Sequence, residues 1–277
     1  MTQSPVDLVG QARAAGRGLG AFNVVLLEHA EAIVAGAERA GLPVALQISQ
    51  NCVTYHGGLE PIGLSALAVA RRAAVPVVVH LDHAEDVCLV HEAVAAGFHS
   101  VMYDGSRLPF DDNIATTRAV VEHCHPSGVV VEAELGEVGG KDGVHAPGAR
   151  TDPGEAAAFV AATGVDSLAV AVGTSHAMTE RVATVDAALV AALAAAVDVP
   201  LVLHGSSGLS DDELRRAVCA GITKVNISTR LNALFTAAVR EALEACPPPI
   251  DPRRYVVAGR EAVAAETERL LRLLVGA

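Results

Sequence analysis

The stretch PVVVHLDHAED (residues 76–86) decides how the rest of the chain is read. It opens as a continuous β-branched run, the pattern of a strand buried on both faces. It ends in Asp82 and His83, where the apolar run gives way to a polar turn. The same pattern recurs downstream: SLAVAVGTSH (167–176) ends in His176, and PLVLHGSSG (200–208) passes from strand to turn at His204. A catalytic zinc takes three protein ligands and keeps one position open. In a parallel barrel, ligands from different strands meet at the C-terminal face.

Working outward, eight such runs are expected as strands: Gly20–Val24, Pro43–Ile48, Pro76–Leu81, Ser100–Tyr103, Val129–Glu134, Ser167–Val172, Pro200–Leu203 and Thr223–Ile227. Helical patterns alternate with them at Leu27–Ala40, Pro61–Ala74, Ala84–Ala96, Phe110–His125, Pro153–Thr163, Ala187–Ala196 and Asp211–Ala220. Ser210 before three acids is a helix start, and Gly41, Gly97, Gly164 and Gly221 are helix stops. A last helix, Gly259–Ala277, carries Val263, Leu270, Leu271 and Leu274 on one face. The expected fold is α/β, a (β/α)8 TIM barrel forming a single domain over residues 1–277. An open doubly wound sheet is the alternative, but it gives no reason for polar residues at every strand end, and a G-x-G-x-x-G fingerprint is absent.

Those strand ends carry, in order, Asn23, Ser49, Asp82 with His83, Asp104, Glu134, His176, His204 and Asn226. One histidine on an apolar run is ordinarily structural; three at strand ends point to metal ligation by His83, His176 and His204. Asp82 either fixes a ligand's tautomer or, as the favoured reading, serves as general acid and base. Asp104 and Glu134 read as metal or near-metal carboxylates rather than solvated rim charges. His80, one pleat below Asp82, is expected to orient it by a hydrogen bond. His29, His56, His91, His99, His123, His125 and His145 are expected at the surface. Lys224 shares parity with Asn226 and faces inward. It reads as a structural lysine paired with a barrel acid in preference to a Schiff-base lysine.

Two loops complete the expected site. Residues Gly136–Arg150 form a long glycine-rich connection of the kind that closes over active sites. The turns Gly173-Thr174-Ser175 and Gly205-Ser206-Ser207-Gly208, beside Asn226, Ser228 and Thr229, offer N–H groups and hydroxyls suited to a phosphate.

Composition bounds the partners. A formal charge of −12 argues against nucleic acid or an anionic membrane. Five dispersed cysteines without C-x-x-C fit reduced thiols and a cytoplasmic location. The longest apolar stretch, Ala187–Val197, is too short for a bilayer, and the N-terminus has no apolar signal core.

Taken together, AFN (21–23), HLDHAED (80–86), SVMYDGS (100–106), VEAELGEVGG (131–140), DSLAVAVGTSHA (166–177), PLVLHGSSGL (200–209) and KVNIST (224–229) resemble the zinc-dependent class II ketose-bisphosphate aldolases, the fructose- and tagatose-bisphosphate aldolase family. The likeness covers nearly the whole chain. It implies a zinc held by His83, His176 and His204, and a second divalent or a monovalent cation near Glu134 and Asp104. It implies proton transfer at the C4 hydroxyl by Asp82. The dihydroxyacetone-phosphate half would be held by Gly173, Ala177, Gly205, Ser206, Ser207, Asn226, Ser228 and Thr229, with Asn23 and Ser49 toward the other end. The implied substrate is a sugar phosphate, and the implied assembly a homodimer or homotetramer. Three departures stand out. The family's Gly-Gly-Glu-Glu lid reads Gly140-Lys141-Asp142, making Asp142 the lid carboxylate. The usual glycine after the second ligand is Ala177. Asn232 stands where a cation for the distal phosphate is expected, leaving Arg230 or Arg253 to replace it. A ketose 1-phosphate lacking the distal phosphate is therefore the alternative substrate. A non-catalytic zinc-containing barrel is the alternative from another class.

Overall fold

The computed structural model describes residues 7–136, 150–175, 183–245 and 250–276. Eight strands close a barrel in chain order: β1 (Leu19–Asn23), β2 (Val44–Ser49), β3 (Val77–Ala84), β4 (Ser100–Tyr103), β5 (Val130–Leu135), β6 (Ser167–Val170), β7 (Leu201–Leu203) and β8 (Ile222–Ile227). Every neighbouring pair is parallel, including β1 with β8, which closes the ring. The helices are α1 (Leu8–Ala14), α2 (Leu27–Ala40), α3 (Gln50–His56), α4 (Leu59–Arg72), α5 (Val87–Ala96), α6 (Phe110–Cys124), α7 (Pro153–Thr163), α8 (Ala187–Ala196), α9 (Asp211–Ala220), α10 (Thr229–Leu243) and α11 (Pro252–Val275). The chain is thus the (β/α)8 barrel expected from its strand and helix periodicities. No helix among the described residues is long and apolar enough to cross a membrane.

Side chains alternate across each strand, and here the alternation separates packing from chemistry. Phe22, Leu46, Ile48, Leu81, Val101, Val131, Leu168, Leu203, Val225 and Ile227 join the large cluster between barrel and helices. The opposite parity faces the lumen. Small apolar groups fill its lower part: Ala21, Ala45 and Val78, closed from below by Leu8 of α1, and separately Met102, Ala169 and Val202. Lys224, Glu132 and His80 are buried on this same inward parity. At the strand ends it carries Asp82, Asp104, Glu134, His204 and Asn226.

Four features depart from the sequence expectation. β3 runs to Ala84 because its register with β4 shifts between Leu81 and Ala84. α5 therefore starts at Val87, where the Asp86 side chain accepts from Cys88 N. α1, α3 and α10 are additional helices, and α11 begins at Pro252 rather than at Gly259. Finally, His29 is buried, not at the surface. Its ring stacks on Phe235 of α10 with centroids 4.8 Å apart. α11 is the main neighbour of α2 and packs on it closely: a Cβ on Gly36 of α2 would stand 2.4 Å from the Ala264 carbonyl oxygen.

Candidate active site

The β3–β4 irregularity bends the chain at His83, the only non-glycine residue with positive φ among the described residues (φ 49°). A side chain in that region costs about 1–2 kcal/mol, and such strain gathers at functional positions. The bend places the His83 Nε2 atom 2.7 Å from His204 Nδ1, with the two rings nearly perpendicular. Asp104 Oδ2 accepts from His83 Nδ1 at 2.8 Å, and Ser106 donates both its hydroxyl and its N–H to Asp104 Oδ1. This fixes the tautomer of His83 and leaves its Nε2 with a lone pair directed at His204. Glu134 Oε2 stands 3.9 Å from both His83 Nδ1 and His204 Nδ1.

Among the described residues, two groups of side chains could hold a metal ion: Asp82, His83 and His204, and His83, Asp104 and Glu134. Within each group the ligand atoms lie within 4.8 Å of one another. Imidazole nitrogens with carboxylate oxygens are the donors zinc takes, at about 2.0–2.2 Å. Tetrahedral bonds of that length hold two nitrogens about 3.3 Å apart, a small opening from the 2.7 Å found here. The donor set therefore fits zinc.

Asp82 lies beside this pair. Asn23 Nδ2 donates to its Oδ2 at 2.8 Å, and Asn226 Nδ2 approaches its Oδ1 at 3.4 Å. Gln47 in turn donates to Asn23 Oδ1 at 3.2 Å. Burial pushes the Asp82 carboxyl up, but His83, His204, Lys224 and the Asn23 bond together outweigh it and hold it below its usual value. The group is thus ready to accept a proton. His80 does not orient it. Its Nδ1 meets Ser100 Oγ at 2.7 Å and its Nε2 lies 3.4 Å from Lys224 Nζ. Burial, then the Lys224 charge, drives the His80 imidazole well below its usual value, so it stays neutral.

Beneath the two histidines, Lys224 donates to Glu132 Oε2 at 2.7 Å, and Glu132 Oε1 lies 3.1 Å from His204 Nε2. Lys224 is thus the acid-paired structural lysine expected from its strand parity. Glu132 was not singled out in the sequence, although its alternation with Glu134 puts both inside the barrel.

The remaining residues gather at the ends of β6, β7 and β8. Thr174 donates to the His204 carbonyl at 2.6 Å. Gly205 (φ 66°) lies so close to the Ser175 backbone that a Cβ there would meet it at 2.6 Å. Ser206 donates to the Asn226 carbonyl. Ser207 Oγ accepts from Arg230 N at 3.4 Å, beside Ser228 and Thr229 where α10 begins. Arg150 adds a cation with no sequence signal of its own: its Nη2 lies 3.3 Å from where a Cβ on Gly173 (φ 110°) would stand. Ser49 caps α3, accepting from Cys52 N. Arg230 is paired with Glu266, and Arg253, largely exposed, with Asp251 of its own helix cap. His176, Ala177 and Asp142 lie outside the described residues.

Nitrogen and carboxylate donors at the C-terminal mouth of a parallel barrel, with an ionised acid beside them, are the make-up of a metal-assisted barrel enzyme. The family model "Fructose-bisphosphate aldolase class-II" matches residues 3–277, and the chain belongs to this family; it is an aldolase, a carbon–carbon lyase. Among curated relatives, the fructose-bisphosphate aldolase of Thermus caldophilus is 38% identical, covering 95% of this chain and 94% of its own. That of Geobacillus stearothermophilus is 39% identical, over 89% and 88%. Among solved structures, the YdjI aldolase of Escherichia coli K12 superposes with a TM-score of 0.83 at 32% identity, over 96% and 94% of the two chains. A putative fructose-1,6-biphosphate aldolase from Coccidioides immitis gives 0.88 at 30%, over 99% and 96%.

Proposed function

We propose that this chain is a zinc-dependent aldolase that reversibly cleaves a ketose 1,6-bisphosphate, of fructose or tagatose type, to dihydroxyacetone phosphate and an aldehyde such as glyceraldehyde 3-phosphate. The observation that carries it is the 2.7 Å approach of His83 Nε2 and His204 Nδ1 with Asp82 alongside. His83, His204 and His176 would hold the zinc. The contact of Ser175, the residue before His176, with Gly205, the residue after His204, supports the third member. Glu134 would serve as an alternate ligand or hold a second cation, and Asp104 would orient His83 from behind. When bound, zinc supplies Lewis-acid stabilisation of the negative charge that develops on the ketose oxygens as C3–C4 breaks.

The chain's own groups do the rest. Asp82 takes the proton of the C4 hydroxyl in cleavage and returns it in condensation. Asn23 holds Asp82 Oδ2 at 2.8 Å, whereas Oδ1 has the longer 3.4 Å contact with Asn226 Nδ2 and is the more available atom to receive the proton. Asn226 Oδ1 is a buried acceptor without a hydrogen-bond partner, which supports its use on a substrate hydroxyl. Gly173, Ala177, Gly205, Ser206, Ser207, Ser228 and Thr229 would line the phosphate of the dihydroxyacetone half, with Arg150 as its countercharge. The lid carboxylate would be Asp142.

A second reading rests on the other end of the substrate. Arg230 and Arg253, the candidates to replace the cation missing at Asn232, are already engaged by Glu266 and Asp251. This favours a ketose 1-phosphate. Retro-aldol turnover on fructose 1,6-bisphosphate, tagatose 1,6-bisphosphate and fructose 1-phosphate, with and without chelator and restored zinc, tests both. Bisphosphate cleavage that chelation stops and zinc restores is expected. Cleavage of the monophosphate alone selects the second reading, and chelator-resistant cleavage rejects the zinc.

We also read the protein as a cytoplasmic homodimer or homotetramer. Cys52, Cys88, Cys124 and Cys219 are free thiols, and exposed Leu243, Ile250 and Val257 on and between the last two helices are surfaces an assembly would cover. Light scattering on the purified chain should return two or four times the 28.3 kDa monomer mass; a monomer removes the assembly.

A further inference from the structure

His204 can hold a metal through Nδ1 only if its proton sits on Nε2. Two groups compete for that Nε2. Glu132 Oε1, an acceptor, lies 3.1 Å away; Asn226 Nδ2, a donor, also lies 3.1 Å away. Bonding to Glu132 keeps a proton on Nε2, so that Nδ1, which meets the His83 Nε2 lone pair at 2.7 Å, is the nitrogen that opens to a metal. Bonding to Asn226 does the opposite and turns an N–H toward the metal position. All four groups are buried: His204 is fully enclosed, and Glu132 and Lys224 are each 2% exposed.

We propose that Glu132, oriented by Lys224, selects the metal-binding tautomer of His204 and so sets the affinity of the zinc centre; this rests on the zinc reading above. A charge-assisted bond to a carboxylate is roughly twice as strong as one to a neutral amide, so Glu132 prevails over Asn226. Lys224 determines which way the carboxylate is shared. It takes Oε2 at 2.7 Å and leaves Oε1 for the histidine. Lys224 is fixed by His80, whose other nitrogen is tied to Ser100. Glu132 and Lys224 are thus positioning residues that act through His204.

The arrangement predicts an unusual mutant pattern. In Glu132→Gln, the Lys224 ammonium claims the amide oxygen and turns the amide NH2 group toward His204 Nε2, which favours the wrong tautomer. In Glu132→Gln/Lys224→Met that constraint is gone, and the amide oxygen is free to turn to His204. The test is the zinc dissociation constant of wild type and both variants, by competition with a chromophoric chelator. Imidazole 15N spectra and melting curves of the zinc-free proteins accompany it. Glu132→Gln should weaken zinc by about 10–100-fold and strip the proton from His204 Nε2, and the double variant should recover part of that loss. The double variant leaves no buried charge unpaired, so against wild type it carries the test alone if Glu132→Gln does not fold, with a smaller loss of affinity expected. Wild-type zinc affinity in Glu132→Gln overturns the inference. So does a double variant weaker than the single, or a loss of zinc that merely follows loss of folding with the His204 proton unmoved. Wild-type protein that binds no zinc overturns the zinc reading and this inference together.

Discussion

His204→Ala is expected to abolish zinc binding and turnover together while leaving the barrel folded. The substitution removes the Nδ1 atom that faces His83 Nε2, and with it half of the nitrogen pair that defines the centre. Three-ligand zinc sites lose most of their affinity with one nitrogen, because the open fourth position already belongs to water or substrate. Folding should survive for a local reason. Glu132, the carboxylate deprived of its histidine, keeps its 2.7 Å ion pair with Lys224 and is not left as an uncompensated buried charge. The measurement is bound zinc after dialysis, beside retro-aldol rate and far-UV circular dichroism. A folded variant that retains stoichiometric zinc would remove His204 from the ligand set and leave His83 with Asp104 and Glu134 as the remaining metal group.

The architecture was legible because strand parity in this chain is so unequal. On β3, Val79 and Leu81 face the helices while His80 and Asp82 face the lumen, and β5 and β8 repeat the division with Glu132, Glu134, Lys224 and Asn226. The period of two gives direction but not depth or neighbour. His80 was therefore placed correctly inside the barrel yet assigned the wrong partner. The residue it meets, Lys224, is 144 positions away and brought near only by closure of β8 onto β1. Glu132 escaped notice for the same reason: its meaning depends on His204 standing above it. The bend at His83 has no sequence signature, since a histidine at φ 49° is imposed by the register shift rather than by the residue's own preference. α10 starts directly after its N-cap Ser228, a stretch whose hydroxyls at Ser228 and Thr229 read in the sequence as a phosphate turn rather than as a helix start. Once α10 is in place, Phe235 covers His29 and makes an internal residue of a histidine that reads as exposed on its own helix.

Asp82→Ala should retain zinc and lose about 10²–10⁴-fold in turnover, the usual contribution of a positioned acid–base group. Two roles are open to Asp82 by geometry, since its carboxylate lies within 4.8 Å of the same nitrogens that would hold the metal. They are separable by what surrounds its oxygens. Asn23 donates to Oδ2 at 2.8 Å, and Gln47 steadies Asn23 from behind at 3.2 Å. That is the support of a carboxylate held in one orientation. The interactions with His83, His204 and Lys224 and the Asn23 hydrogen bond together outweigh burial and hold the carboxyl below its usual value, as suits a base that must be ionised before the C4 hydroxyl proton arrives. Parallel measurement of zinc affinity and of kcat for cleavage tells the roles apart. A fall in kcat with zinc affinity within a few-fold of wild type assigns Asp82 to proton transfer. A collapse of zinc affinity makes it a ligand, in which case Glu134 is the next carboxylate to test as the base. Unchanged kcat takes Asp82 out of the chemistry. Asp82→Asn refines the comparison: it keeps the shape, removes the base, and turns an amide donor toward Asn23 or Asn226, so its turnover should fall at least as far as that of the alanine variant.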